Sequence, residues 1–535
     1  MLKDGLLLVI SLLFVISMLA MLSDKLRISY PILLVLAGLG ISVIPGIPEI
    51  RLDPNIVFII FLPPLLYSAA WYTPWHEFWR MRRPISLLAF GLVLFTAVAV
   101  AYASYLLIPG FSLALGFLLG GIVSPPDAVA ATSVLENLKM PKRVTTILEG
   151  ESLVNDASSL VVFRFALVAI FTGKFVLWKA GMDFLLVIFL GILIGLAIAH
   201  LVYAIHRWLP TTPTIDTGIT LISPYLMYIV AEHFHYSGVL AVVSGGLFLS
   251  YKSHDIFNYG SRLTSQSVWN VLVFLLNGVV FILIGLQLPG IVRGLGQYSL
   301  HAAILYGLCI SAVAILVRLA WVYPGAYLPR MISKKIRQRE PVPPKKQVFI
   351  IGWSGMRGVV SLASALAIPI ALPTGEEFPH RDLILFITFI VILVTLVFQG
   401  LTLPLIVRWL RIEVDEKEKE QQLLLRLRLA GKALEYIKAG YADESASIEV
   451  FTRLKERYER MVEITGRRLE KEKGAGMIPS FIPRYRQLLL ELIGLQREEL
   501  ARMRHQNEFT DEILRGEEFE LDLEEARMQR KVLSP

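Results

Sequence analysis

Cysteine is almost absent: Cys309 stands alone in 535 residues, inside an apolar run. That excludes an intramolecular disulfide and any cysteine-based metal cluster. Charge is scarce as well, at 18% Asp, Glu, Lys and Arg, and it is concentrated after about Arg408. No glycine-rich phosphate loop or other nucleotide-binding pattern is present, no cofactor site stands out, and the chain does not read as an enzyme. A net charge of +8 would suggest nucleic acid in a soluble chain. Here it is read loop by loop against membrane lipids, and no nucleic-acid partner follows. What the sequence has in excess is apolar surface: 55% hydrophobic residues and a mean hydropathy of +0.61, far above an ordinary soluble domain. The composition describes an all-α polytopic membrane protein, with a membrane domain over residues 1–411 and a cytoplasmic helical domain over 412–535.

Hydrocarbon about 30 Å thick takes roughly 20 apolar residues per helix, which yields about thirteen candidate spans. They lie near 4–22, 29–47, 54–72, 84–108, 111–135, 145–172, 182–205, 215–234, 237–251, 266–288, 299–326, 347–372 and 381–407. Alternate loops divide the basic residues. One set holds Lys25, Arg27, Arg80, Arg82, Arg83, Lys139, Lys142, Arg143, Arg207, Lys252, Arg262 and the loop "RMISKKIRQREPVPPKK". The other holds Arg51, Lys174, Lys179 and Arg293. The basic set faces the cytoplasm, so the N-terminus lies outside and the tail from about Val414 lies inside. Reading "LLLVISLLFVISMLAMLS" as a cleaved signal peptide leaves twelve spans and puts the basic loops on the wrong face.

Two spans are interrupted by polar and helix-breaking residues. In "GGIVSPPDAVAATS", Pro125 and Pro126 remove two successive backbone donors and clash with the preceding turn, so the helix unwinds beside Ser124 and Asp127. In "IGWSGMRGVVSLAS", Gly352, Gly355 and Gly358 surround Ser354 and Arg357. A simple kink is the bland alternative at "SPPD". However, dividing the spans as six, a linker and six puts both interruptions in the fifth place of a half. That placement describes inverted repeats with two crossing broken helices and a site where unwound carbonyls are exposed.

The stretch "EGESLVNDASSLVVF" adds carboxylates to an apolar helix. Glu151 and Asn155, and likewise Ser152 and Asp156, are four residues apart and share one stripe. At about 1.5 Å per residue, Glu151 lies roughly 9 Å from the cytoplasmic end, Asp127 and Arg318 roughly 12 Å, and Arg357 and Asp156 roughly 15 to 16 Å. Buried charges pair or neutralise. Depth matches Glu151 with Arg318, leaving Asp156, supported by Ser152, Asn155 and Asp127, as the open ligand. Arg318 has the alternative of snorkelling, and Arg357 that of anchoring a helix end through carbonyls. Arg164 carries no assigned role, and Glu232, His233, His235 and Lys252, at span ends, read as solvated.

Carboxylate, hydroxyl and unwound carbonyl are the ligands of a hard cation. One free carboxylate suits a +1 ion that must also leave, and an acid in a half-dry crevice accepts either a proton or Na⁺ as its counter-charge. Competition between the two gives antiport. A cation channel with an acidic filter is the alternative, and an intramembrane aspartyl protease using Asp127 and Asp156 is a third reading; the protease reading leaves Asn155, Glu151 and the arginines without a purpose.

At these residues the chain resembles a known family. "SPPDAVAAT", "GESLVNDASSLVV" and "GWSGMRGVVSLA" are similar to signatures of the bacterial monovalent cation/proton antiporters, NhaP-type and Na⁺/H⁺ exchanger branch, over nearly the whole membrane domain. The resemblance implies thirteen helices, a homodimer in the inner (cytoplasmic) membrane, and a core bundle that moves against a dimerisation domain. It implies exchange of Na⁺ (or Li⁺, K⁺) for H⁺ in pH homeostasis, with Na⁺ at Asp156 and no cofactor. By motif match, Asp156 is the ion and proton carrier, Asn155 stabilises the helix, Glu151 partners an arginine, and Ser152 and Asp127 are ligands or near-ligands. The Asn-Asp pair implies electroneutral exchange. One departure stands out: Ala128 follows Asp127, where many members have proline.

After Glu416 the sequence turns to charged amphipathic helix, exemplified by "YRQLLLELIGLQREELARMRH", with an interruption expected at "GAGMIPSFIP". Its reading is a helical hairpin packing on itself or on a dimer mate. A regulatory tail that senses cytoplasmic pH or a ligand is the alternative.

Overall fold

A computed structural model describes residues 2–26, 28–44, 57–135, 138, 140–173, 177–296, 298–340, 342–412, 417–441, 448–472, 481–506 and 511–530. Helix dominates, as apolar segments in lipid must satisfy their own backbone. The membrane part runs α1 (Leu2–Leu26), α2 (Tyr30–Ser42), α3 (Leu62–Tyr72), α4 (Arg82–Leu107), α5 (Leu113–Val123), α6 (Ala128–Leu135), α7 (Lys142–Thr172) and α8 (Leu177–Trp208). It continues through α9 (Pro213–His233), α10 (Gly238–Ile256), α11 (Tyr259–Leu286), α12 (Leu300–Ile332), α13 (Lys345–Trp353), α14 (Val359–Leu366) and α15 (Arg381–Leu410). Among the described residues, 8 helical stretches are long and apolar enough to cross a membrane, and Val9–Ser23, Tyr30–Ser42 and Phe58–Tyr72 are shorter apolar helices.

Local chemistry sets the ends. Ser112, Thr212, Ser237 and Asn258 each accept a backbone N–H in the first turn of the helix they precede, satisfying one orphan donor. Gly173, at φ +65°, closes α7 with a left-handed residue. Two expected single spans are each split: 111–135 into α5 and α6, and 347–372 into α13 and α14.

Two apolar clusters organise the membrane part. One gathers buried residues of α2, α4, α5, α6 and α11 to α15, and the other those of α3, α8, α9 and α10. Helix α7 serves both: Val144, Ile147, Leu148 and Phe163 face the first, Leu153 and Ala157 the second. The carboxylate-bearing stretch therefore lies at a seam between the two cores. In the first cluster α4 packs on α5 and α12, α5 on α7, and α12 on α13 and α15.

The chain divides into two compact units, Met1–Glu413 and Val414–Pro535. In the second unit α16 (Lys417–Gly440) packs on α17 (Glu449–Glu472), where Tyr441 stacks on Phe451 at 5.9 Å. Helix α18 (Phe481–Gln506) packs on α19 (Asp511–Arg530), joined by Arg497 to Asp522 and Glu525 at 2.5 and 2.7 Å. The interruption expected at "GAGMIPSFIP" lies outside the described residues over 474–480, and α18 begins at Phe481.

Candidate ion-binding site

The first interruption is a gap of four residues between α5 and α6. Pro125 and Pro126 have no N–H to give, so α5 stops. Asp127 restarts the helix: its Oδ1 accepts from the Val129 N–H at 2.9 Å, an N-cap geometry, and its own N–H donates to the Met356 carbonyl at 2.6 Å. Met356 belongs to the second interruption, so the two unwound strands meet backbone to backbone. Gly358 is required there by space: a Cβ on it would strike Asp127 Oδ2. A Cβ on Gly355 would likewise strike Arg318.

Arg318 sits on α12, 1% exposed, and grips Glu151 of α7 with two parallel bonds of 2.5 and 2.8 Å. It also donates to the Ile351 carbonyl at 3.0 and 3.3 Å, near the end of α13. A bidentate, doubly supported pair of this kind leaves little uncompensated charge. Among the described residues, Arg357 makes no ion pair with a carboxylate. It donates to the Val123 carbonyl at 3.0 Å and to the Gly355 carbonyl, and its N–H reaches Thr395 Oγ1 at 3.1 Å. Its charge therefore covers carbonyls at the C-terminal end of α5, where a cation is favoured.

Asn155, fully buried, donates from Nδ2 to the Pro126 carbonyl at 2.9 Å, satisfying an acceptor left without a helical partner at the break. The Ser152 hydroxyl accepts from the Ala128 N–H at 3.3 Å. Asp156, 6% exposed, is different from its neighbours: among the described residues its carboxylate accepts no hydrogen bond and has no cation beside it, while Asp127 lies within electrostatic reach. The interruption thus brings together Asp127, Ser152, Asn155 and Asp156, with Glu151, Arg318 and Arg357 forming its walls. Carboxylate, hydroxyl and carbonyl oxygens of this set are what a small hard cation binds. The protease reading loses Asp127 to helix capping.

Other charges find partners that sequence did not reveal. Arg164 and Glu232 pair at 2.7 Å, and Glu232 accepts from the Gly238 N–H at 3.1 Å, so Glu232 is not simply solvated. Lys252 faces Asp255 at 3.5 Å, while His233 and His235 are exposed. Buried His206 and Asp216 meet at 2.8 Å, and Ser261 donates to Asp216 at 2.6 Å. Their separation of ten residues across a loop carries no local periodicity. Gln399 and Thr395, both fully buried at the second interruption, were also missed. The available signal was the pair of polar residues in the apolar run "VTLVFQG".

Comparison with known proteins shows what the chain as a whole is similar to. The family profile described as "Sodium/hydrogen exchanger, transmembrane" matches residues 9–409. An uncharacterized Na(+)/H(+) exchanger of Mycobacterium tuberculosis is 30% identical over 540 residues, covering 98% of this chain and 96% of that protein. The sodium, potassium, lithium and rubidium/H(+) antiporter of Bacillus subtilis is 35% identical over 391 residues, 71% of this chain and 58% of that protein. The fold is that of the sodium proton antiporter MjNhaP1 of Methanocaldococcus jannaschii, with a TM-score of 0.59 at 19% identity, covering 76% of this chain and 98% of that one. These relatives are exchangers and antiporters, which leaves the channel reading without support.

Proposed function

Because the chain belongs to the transmembrane sodium/hydrogen exchanger family and is a multi-pass antiporter, we propose that it exchanges Na⁺, or another monovalent cation such as Li⁺ or K⁺, for H⁺ through Asp156. The observation that carries this reading is the isolation of that carboxylate. Glu151 is neutralised by Arg318, and Asp127 has an oxygen and its N–H spent on the helix break. Among the described residues of the site, Asp156 has neither a counter-charge nor a hydrogen bond to its carboxylate, whereas Asp127 at least caps a helix, and burying an uncompensated charge costs several kcal/mol, on the order of a lost ion-pair partner. A proton or one alkali cation supplies it, and the two exclude each other. Each then crosses as a single positive charge on one carboxylate, which makes the exchange electroneutral, and no catalytic group or cofactor takes part.

Ser152, Asp127 and the carbonyls between Ser124 and Asp127 complete the cation's oxygen shell, while Asn155, Glu151, Arg318 and Arg357 hold the shell in place. The membrane domain over 1–411 works as a homodimer in the inner membrane, with the N-terminus outside and the helical domain over 412–535 in the cytoplasm. The distribution of basic loops supports that orientation.

The test is collapse of a pH gradient in everted vesicles on adding Na⁺, Li⁺, K⁺ or Rb⁺. Wild type dissipates the gradient with saturation, and Asp156→Asn abolishes the response. Full exchange by Asp156→Asn in liposomes would overturn the reading. A rate that follows an imposed membrane potential would overturn electroneutrality.

A further inference from the structure

The second interruption has no assigned support, yet its surroundings repeat those of the first. Each half ends in a helix that follows its break: α7 in the first, α15 in the second. On α7 a hydroxyl accepts a break N–H and an amide donates to a break carbonyl: Ser152 from Ala128 at 3.3 Å, and Asn155 to Pro126 at 2.9 Å. On α15 the same two chemistries recur. Thr395 Oγ1 accepts from the Arg357 N–H at 3.1 Å, and Gln399 Nε2 donates to the Trp353 carbonyl at 2.9 Å. In both amides the nitrogen is engaged, while Asn155 Oδ1 and Gln399 Oε1 are buried without a partner. Residues 394–399 form a π turn, a local widening of α15 that begins just before Thr395 and ends on Gln399. Such turns recur at functional sites, and here one aims two polar side chains of a mainly apolar helix at the break.

We propose that Gln399, with Thr395, is the second half's counterpart of Asn155 with Ser152: a positioning residue that holds the second break unwound so that it seats Asp127 beside Asp156. The bonds at Trp353 and Arg357 bracket Met356, whose carbonyl takes the Asp127 N–H at 2.6 Å. Gln399 therefore acts on the ion site through Met356 and Asp127 without touching the ion. The proposal rests on the exchange reading for its transport consequence, but the backbone clamp stands apart from it.

The experiment uses the full-length protein and Gln399→Met, which keeps length and removes the donor. In liposomes the variant should raise the KM for Na⁺ about tenfold, the order of one buried carbonyl left unsatisfied. In purified protein without Na⁺, amide hydrogen exchange over residues 353–358 should accelerate about tenfold on the same ground. Unchanged amide exchange in the folded variant overturns the clamp. Faster amide exchange with only a lower maximal rate and an unchanged KM overturns the positioning role. Absence of Na⁺-driven exchange in wild type would sink the functional reading instead, and leaves the amide result to judge the clamp. Should Gln399→Met fail to fold, Gln399→Glu decides: its acid donates while protonated, so the ratio of its KM to that of wild type should climb with pH. A ratio that stays constant overturns the proposal.

Discussion

At the residue scale, the membrane part solves a single problem in three ways: how to keep charge where water is scarce. Glu151 and Arg318 cancel in a bidentate pair; Arg357 donates to the Val123 and Gly355 carbonyls; Asp156 is left open. The first solution predicts that either single substitution costs more than exchanging the two charges. Arg318→Gln leaves Glu151 as a buried lone carboxylate, and Glu151→Gln leaves a buried lone guanidinium, each costing about 3 to 5 kcal/mol of stability. The exchanged double variant, Glu151→Arg with Arg318→Glu, restores a pair, although the Ile351 carbonyl loses its donor. We expect both single variants to lose exchange and thermal stability in detergent, and the exchanged pair to recover part of each. Equal loss in all three would show that the pair is not what these residues contribute. A helix rises at a fixed 1.5 Å per residue, so counting put Glu151 and Arg318 in one layer of the membrane, but it put Asp127 level with Arg318 too, and the choice of Glu151 became visible only in the structure. The Gln399 contact was closed to counting, since a π turn shifts the facing of residues in a way no regular periodicity reports.

At the scale of elements, the breaks were legible for the same reason that they exist: paired prolines and clustered glycines cannot be hidden in an apolar run. Their contact with each other was not, because nothing local in "SPPD" specifies Met356 as a partner. The loop between α12 and α13 shows a further non-local tie. Glu340 takes Arg83 of α4 at 3.1 and 2.5 Å and Arg330 of α12 at 2.9 Å. The Arg83 hydrogen bond holds the Glu340 carboxyl below the usual range. A depressed value means stabilisation that is present above the unfolded group's titration and is lost as acidification passes the lowered one. At neutral pH the strap is therefore at full strength, and Glu340→Gln removes it. The pair is partly exposed, so about 1 kcal/mol is at stake, which corresponds to about fivefold faster local opening. Trypsin cleavage at Lys334 to Arg339 in everted membranes measures that opening directly. A rate equal to wild type would mean that the loop is held by something other than these arginines.

At the scale of the whole molecule, hydropathy specified helix within each candidate range, with 111–135 and 347–372 split at their breaks, and the fold is that of known antiporters. The orientation proposed in the lipid rests on a different physical term, the cost of moving basic loops across the membrane. The segment from Arg330 to Lys346 is the extreme case, and turning the protein over would require translocating it together with Arg80, Arg82, Arg83, Lys142 and Arg143. Chemistry can read this directly, since the single native thiol is easily removed. In a Cys309→Ala background, Arg293→Cys labels a loop of the sparse set and Lys252→Cys a loop of the basic set. An impermeant maleimide should mark position 293 in intact cells, and position 252 only in everted vesicles. The reverse pattern would place the helical domain after Val414 outside the cell, where it has no access to the cytoplasmic face, and would remove the orientation argued from the loops.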